Sequence, residues 1–191
     1  MIAQTLRRRF TVHDYARMRE AGILTEDDRV ELLDGEIYLM SPLGPLHIAI
    51  VNRLTKLLMR QVGDDAILSI QNAVQLNDYS EPQPDVALLN PRDDYYDQAL
   101  ARPDDILLLI EVADTSFGYD RDQKLPRYAA SNIAEVWIID VDQQLVEQFV
   151  QPLQGQYTQL TKILFGTAIQ SKTMPQIHFT TDQLFSQQRQ P

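Results

Sequence analysis

Ile106-Leu107-Leu108-Leu109-Ile110-Glu111-Val112 is the stretch on which the fold turns. An unbroken apolar run of this length reads as a strand buried on both faces, of the kind found inside a sheet covered by helices. Glu111 near its end is costly to bury unless something pairs with it. Two neighbouring runs share this character. Pro84-Asp85-Val86-Ala87-Leu88-Leu89 is a short buried strand beginning at a carboxylate, and Glu135-Val136-Trp137-Ile138-Ile139-Asp140 is a further central strand.

Outward from this centre the punctuation is clear. Thr11 and Asp14 form a capping-box pattern and Gly22 a stop, which predicts a helix over about 12–21. Asp34-Gly35 between two alternating runs predicts a hairpin pairing Leu33 with Glu36, Leu32 with Ile37 and Glu31 with Tyr38. Its core face is Val30, Leu32, Ile37 and Leu39. The face with Glu31, Leu33, Glu36 and Tyr38 is either solvated or the wall of a cleft. Ile50, Leu54, Leu57, Leu58 and Val62 recur at helical spacing, so residues 46–62 read as a helix closed by Gly63. Residues 66–76 read as a strand, 77–82 as a turn and 90–105 as irregular. A helix over about 121–130 contains Pro126, least strained in the first turn with Asp120 or Asp122 near the N-cap. Residues 144–150, 156–160, 168–170 and 177–179 read as short strands of a meander, and 186–191 as a polar, frayed tail.

The resulting order implies an α/β fold: a mixed central sheet flanked by helices, with an amino-terminal hairpin and a β-rich carboxy-terminal extension. We read one domain over 1–191, its core about 11–150 and accessory strands beyond. The 191 residues are 44% hydrophobic and 23% charged, ordinary for a soluble globular protein. The amino terminus has no apolar stretch of a secretory signal, and no run approaches the roughly 18 residues of a membrane span. A cytoplasmic location is therefore expected.

There are no cysteines and only three histidines, so a metal site would be built from oxygen, which suits Mg²⁺ or Mn²⁺ over zinc. Asp85 and Glu111 can supply two carboxylates if their strands are neighbours, with the Val112 carbonyl as a further ligand. Lys124 would orient an attacking water or hold a phosphate oxygen. Such a constellation suits phosphodiester hydrolysis. Glu31 fits a metal-water ligand or supporting acid, or a cross-strand neighbour of Tyr38. His47 fits a helix-start structural residue or a group touching the phosphate or a carboxylate. Asp120 fits a helix cap or a carboxyl standing behind the ligands. The net charge of −10 works against a broad nucleic-acid surface. Arg7–Arg9, and Arg53 with Lys56 and Arg60 on one helical face, are local basic patches or ordinary solvated faces.

These residues resemble the PD-(D/E)XK nuclease superfamily. Pro84-Asp85 resembles its PD element, and Glu111-Val112-Ala113 stands where Glu-X-Lys is expected. Ala113 replaces the lysine, and Lys124 lies where some branches carry it, on the following helix. Glu31-Leu32-Leu33-Asp34-Gly35-Glu36, His47, Tyr119-Asp120-Arg121, Tyr128 and the 135–140 strand extend the likeness to a family of restriction-endonuclease-like proteins, over roughly residues 11–150. The resemblance implies the restriction-endonuclease-like fold and a Mg²⁺- or Mn²⁺-dependent endonuclease acting on DNA, with a homodimer by analogy. The same fold also hosts inactive members, so a non-catalytic module for partner binding or dimerisation is the alternative. A metal hydrolase for a small phosphorylated substrate is a third reading, suited to the acidic surface.

Overall fold

Local signals govern the amino-terminal elements. In the computed structural model, which describes residues 7–25 and 27–185, Thr11 caps helix α1 (Val12–Glu20) in the expected box. Its hydroxyl accepts from the Asp14 N–H, and the Asp14 carboxylate accepts from the Thr11 N–H. Gly22, at φ +68°, takes the chain out through left-handed backbone. Asp34 and Gly35 also have positive φ and join β1 (Val30–Leu33) to β2 (Glu36–Leu39) in the expected register. Helix α2 (Pro45–Val62) opens on its proline and stops at Gly63, burying Ile50, Leu54 and Leu58 completely.

The central sheet follows the order β3 (Ile67–Ile70), β4 (Val86–Leu89), β5 (Ile106–Ala113), β6 (Glu135–Asp140), β7 (Leu145–Leu153) and β8 (Gln156–Ile163). Neighbours are antiparallel except β5 and β6, which are parallel. A parallel pair needs a crossover. Here it contains α3 (Phe117–Tyr119), a π turn (Asp120–Lys124) and α4 (Leu125–Ala130). Strands β9 (Ala168–Gln170) and β10 (His178–Thr180) pair separately.

The sheet is buried on both faces, as the apolar run requires. Val86, Leu88, Leu108, Ile110, Val112, Trp137 and Ile139 pack with α2 and with Met174, Ile177 and Phe179 of the carboxy-terminal segment. Ala87, Leu109, Ala113, Val136 and Ile138 pack with Leu125 and Tyr128 of the crossover. A smaller cluster joins Tyr15 of α1 to Val30 and Leu32.

Several boundaries differ from the sequence reading. The strand expected over 66–76 ends at Ile70, because Gln71 takes φ +52° and its N–H turns to the Asp85 carbonyl. Leu39 is 82% exposed rather than core: the cluster around α1 takes in Val30, Leu32 and Ile37 and stops there. On the opposite face Glu31 and Leu33 are both buried. The crossover turns helical at Phe117, so Asp120 lies inside it and accepts from the Ser116 hydroxyl instead of capping. Pro126 does fall in the first turn of α4. It lacks an N–H and its ring crowds the carbonyl four residues back. The preceding turn is widened, with the Leu125 N–H bonded to the Asp120 carbonyl. The strands read as a short meander include β7 and β8, which extend the main sheet. The tail at 186–191 lies outside the described residues. No helix among the described residues is long and apolar enough to cross a membrane.

Candidate active site

Sheet register brings the two strand carboxylates together. Val86 lies opposite Ile110 in the antiparallel β4–β5 pair. Continuing that register by one step sets Asp85 against Glu111. The Asp85 N–H points at Glu111 Oε2 across 3.4 Å, and the Val112 N–H donates to Asp85 Oδ2 at 2.8 Å. Asp85 Oδ1 pairs with His47 Nε2 at 2.9 Å and accepts from Gln71 Nε2 at 3.2 Å. His47 is in the first turn of α2, so this contact joins the helix to the strand ends.

The crossover delivers the cation. Lys124, only 3% exposed, places Nζ 3.2 Å from Glu111 Oε1, 3.3 Å from Glu31 Oε2 and 3.9 Å from Asp120 Oδ1. It also donates to the Gln83 carbonyl at 3.1 Å. Two tyrosines of the same crossover complete the cluster. Tyr128 donates its hydroxyl to Glu111 Oε1 at 2.6 Å, and Tyr119 donates to Glu31 Oε1 at 2.7 Å. The remaining Glu31 oxygen accepts the Gln83 N–H. Glu31 thus belongs to a cleft wall, one of the two readings of its hairpin face.

Carboxylates outnumber cations here, and the protonation states follow. Burial pushes Glu111 well above the ordinary glutamate value; Lys124 opposes that, while Asp120 and Asp85 add to it. Burial likewise pushes Asp120 up to about 6 against the pull of Lys124. Burial disfavours the Lys124 ammonium, but Glu111, Glu31, Asp120 and Asp85 outweigh it and hold the lysine protonated. Burial raises Asp85, yet His47, the Val112 N–H and Gln71 together leave it below its usual range. The same contact works in reverse on His47: burial opposes its charge, and Asp85 with the Val112 backbone raises its pKa overall.

These groups line a pocket of about 180 Å³. Its outer wall is the loop Met40–Gly44, and Asp114, Thr115 and Ser116 close another side. Oxygen donors only, without thiolates, suit a hard cation. Glu111 Oε1 is taken by Lys124 and Tyr128, and Asp85 Oδ1 by His47 and Gln71. Asp85 Oδ2 and Glu111 Oε2 retain acceptor capacity, and these two could hold Mg²⁺ or Mn²⁺ together with water. Among the described residues no group of three or more His, Cys, Asp or Glu is gathered to hold a metal. Val112, whose carbonyl the sequence reading offered as a further ligand, donates its N–H to Asp85 Oδ2.

Asp85, Glu111, Lys124, Glu31, His47 and Asp120 all converge here. Tyr119 and Tyr128 had no assigned role in the sequence, although both stand among the stretches that carried the resemblance. Gln71 and Gln83 gave no signal. The basic patches lie elsewhere: Arg7 pairs with Glu36, Arg8 with Asp14, and Arg53 donates to the Leu184 carbonyl.

No curated protein matches the chain. Among solved structures, a protein of Anabaena variabilis described as a "putative nuclease belonging to DUF820" superposes with a TM-score of 0.72, covering 93% of this chain and 98% of that one at 16% identity. At that identity the likeness is one of fold. Residues 12–182 match Uma2, a family described as "Putative restriction endonuclease". With a match spanning nearly all of the described structure, the chain belongs to the Uma2 family.

Proposed function

We propose that the protein is a Mg²⁺- or Mn²⁺-dependent endonuclease hydrolysing DNA phosphodiester bonds, acting as a single domain over residues 1–191. The observation that carries this is the buried Lys124 bridging Glu111 and Glu31 beside Asp85, an ammonium set among more carboxylates than it can neutralise. Asp85 and Glu111 would hold the cation, which when bound would neutralise phosphoryl charge and lower the pKa of its water. Lys124 stays protonated, so it serves as a fixed positive charge for the phosphoryl oxygen or the attacking water, not as a base. Glu31, itself held by Tyr119 and the Gln83 N–H, fixes Lys124. His47 keeps Asp85 ionised.

The alternative, a non-catalytic module, draws support from the donors that already occupy Asp85 without any cation. One pair of measurements separates the two. Calorimetric Mn²⁺ titration gives a binding heat that Asp85→Ala abolishes. Nicking of supercoiled plasmid in Mg²⁺ or Mn²⁺ falls by about 10²- to 10³-fold in Lys124→Ala, and at least as far in Glu111→Ala, with the fold intact by circular dichroism. Wild-type protein that neither nicks any tested DNA nor binds Mn²⁺ differently from Asp85→Ala would leave the module reading standing alone.

A further inference from the structure

A second buried carboxylate lies under the crossover, outside the pocket. Glu147 of β7 is 1% exposed. Its cross-strand neighbour Lys162 of β8 reaches Oε1 at 2.8 Å. Arg121 reaches it from the crossover, with Nη1 3.3 Å from Oε1 and 3.2 Å from Oε2. Arg121 follows Asp120 and precedes Lys124 in the π turn, so the residues that enter the pocket flank the one that grips the sheet. A π turn is rare and occurs mostly as a single turn inside an α-helix, frequently at functional sites. Pro126 explains why the ordinary turn is disfavoured. It does not explain what keeps the widened turn in one arrangement, with Lys124 inward. Glu111, Glu31 and the Gln83 carbonyl hold the Lys124 ammonium, and the Arg121–Glu147 pair is a contact from the turn itself to the sheet.

We propose that Glu147, through Arg121, is a positioning residue for Lys124. It touches no pocket residue other than through the turn. Its charge, costly to bury without partners, is placed where it fixes Arg121 against the sheet. Lys162 pairs with Glu147 Oε1 from within the sheet, leaving Oε2 to Arg121 alone. The two cations on Glu147 therefore have separable roles. Lys124 as the functional lysine rests on the nuclease reading; its being held in place by this tether does not.

Lys124 itself is the reporter. Buried and hydrogen-bonded, it reacts slowly with an amine-methylating reagent, and peptide mass spectrometry follows it without substrate or metal. In Arg121→Gln and Glu147→Gln, Lys124 is labelled at least about tenfold faster than in wild type, at concentrations of denaturant where the fold is intact. Arg121→Lys restores most of the protection, and Lys162→Gln leaves Lys124 as slow as in wild type. Unchanged labelling in Arg121→Gln, or equal acceleration in Lys162→Gln, overturns the proposal. Should Glu147→Gln fail to fold, Arg121→Gln decides, because that side chain is 39% exposed and Gln keeps part of its stem over Phe117. Faster labelling in a protein whose wild type never cleaves DNA would keep the tether and discard the nuclease; under the nuclease reading, Arg121→Gln lowers kcat and leaves KM unchanged.

Discussion

Glu111 and Glu135 sit on adjacent parallel strands, both almost wholly buried, on opposite faces of one sheet. Glu135 is saturated by neutral donors. Its Oε1 accepts from Trp137 Nε1 at 2.6 Å and Gln148 Nε2 at 2.7 Å. Its Oε2 accepts from the Ser171 hydroxyl, the Lys172 and Thr173 N–H groups and the Thr173 hydroxyl, at 2.7–3.0 Å. Glu111 has one hydroxyl, one weak N–H contact and a share in a lysine contested by other carboxylates. Burial alone therefore does not mark a functional acid. Glu135 is solvated by the protein and ties the carboxy-terminal segment to β6. Glu111 is left short of donors beside a pocket, the condition in which a carboxylate gains from an added cation.

That contrast can be broken in three ways. The largest effect belongs to Glu135→Ala, which orphans several buried donors at about 1–3 kcal/mol for each group left unsatisfied. A loss above about 4 kcal/mol is expected in urea unfolding. Glu111→Gln, by removing a charge the cluster cannot neutralise, changes stability by less than about 1 kcal/mol or raises it. If the two substitutions cost the same, the distinction between the acids is wrong.

Next comes a pH effect. Asp120 is raised in the fold from an ordinary 3.8 to about 6, so the folded state favours its protonated form. Its contribution is most favourable below pH 3.8 and is lost as pH rises through about 6. Wild type compared with Asp120→Asn should therefore lose about 3 kcal/mol across that window, and Mn²⁺ should reduce the loss. A flat difference would mean that the cluster carries no excess charge. A smaller loss than that of Glu135→Ala is expected for Ser171→Ala, about 1–3 kcal/mol, because Glu135 Oε2 keeps the donors of Lys172 and Thr173 while the Met174 N–H loses its acceptor. A cost several times larger would show that the donors on Glu135 act as one unit.

The sequence was most legible where local chemistry decides the outcome. The Thr11 cap, the Asp34-Gly35 hairpin with its register, and the apolar β5 are all short-range signals, and each has its expected form. The pairing of Asp85 with Glu111 was legible too, since both abut buried strands, and the resemblance pointed to Lys124. Long-range partners were not legible. Glu135 presents the same pattern as Glu111, a carboxylate beside an apolar run, and the donors to its Oε2 lie 36–38 residues further on. Only the fold tells the two apart. Leu39 satisfied the alternation of a core face but lies past the reach of α1. Asp120 was read as a cap or as a carboxyl behind the ligands; it does not cap, because the widened turn lets the helix begin earlier, at Phe117.

The parallel pairing of β5 and β6 has a consequence for how the protein reaches this state. Asp85, Glu111 and Glu31 are brought together by the hairpin and the antiparallel β4–β5 pair. The ammonium that offsets them arrives only when the crossover docks. Tyr119 and Glu31, which meet in that docking, are 88 residues apart in sequence. Closing so long a loop is slow. Without the crossover in place the acids would face one another with no counter-charge, which predicts that its docking is sensitive to ionic strength. Salt that screens the acids should hasten the docking.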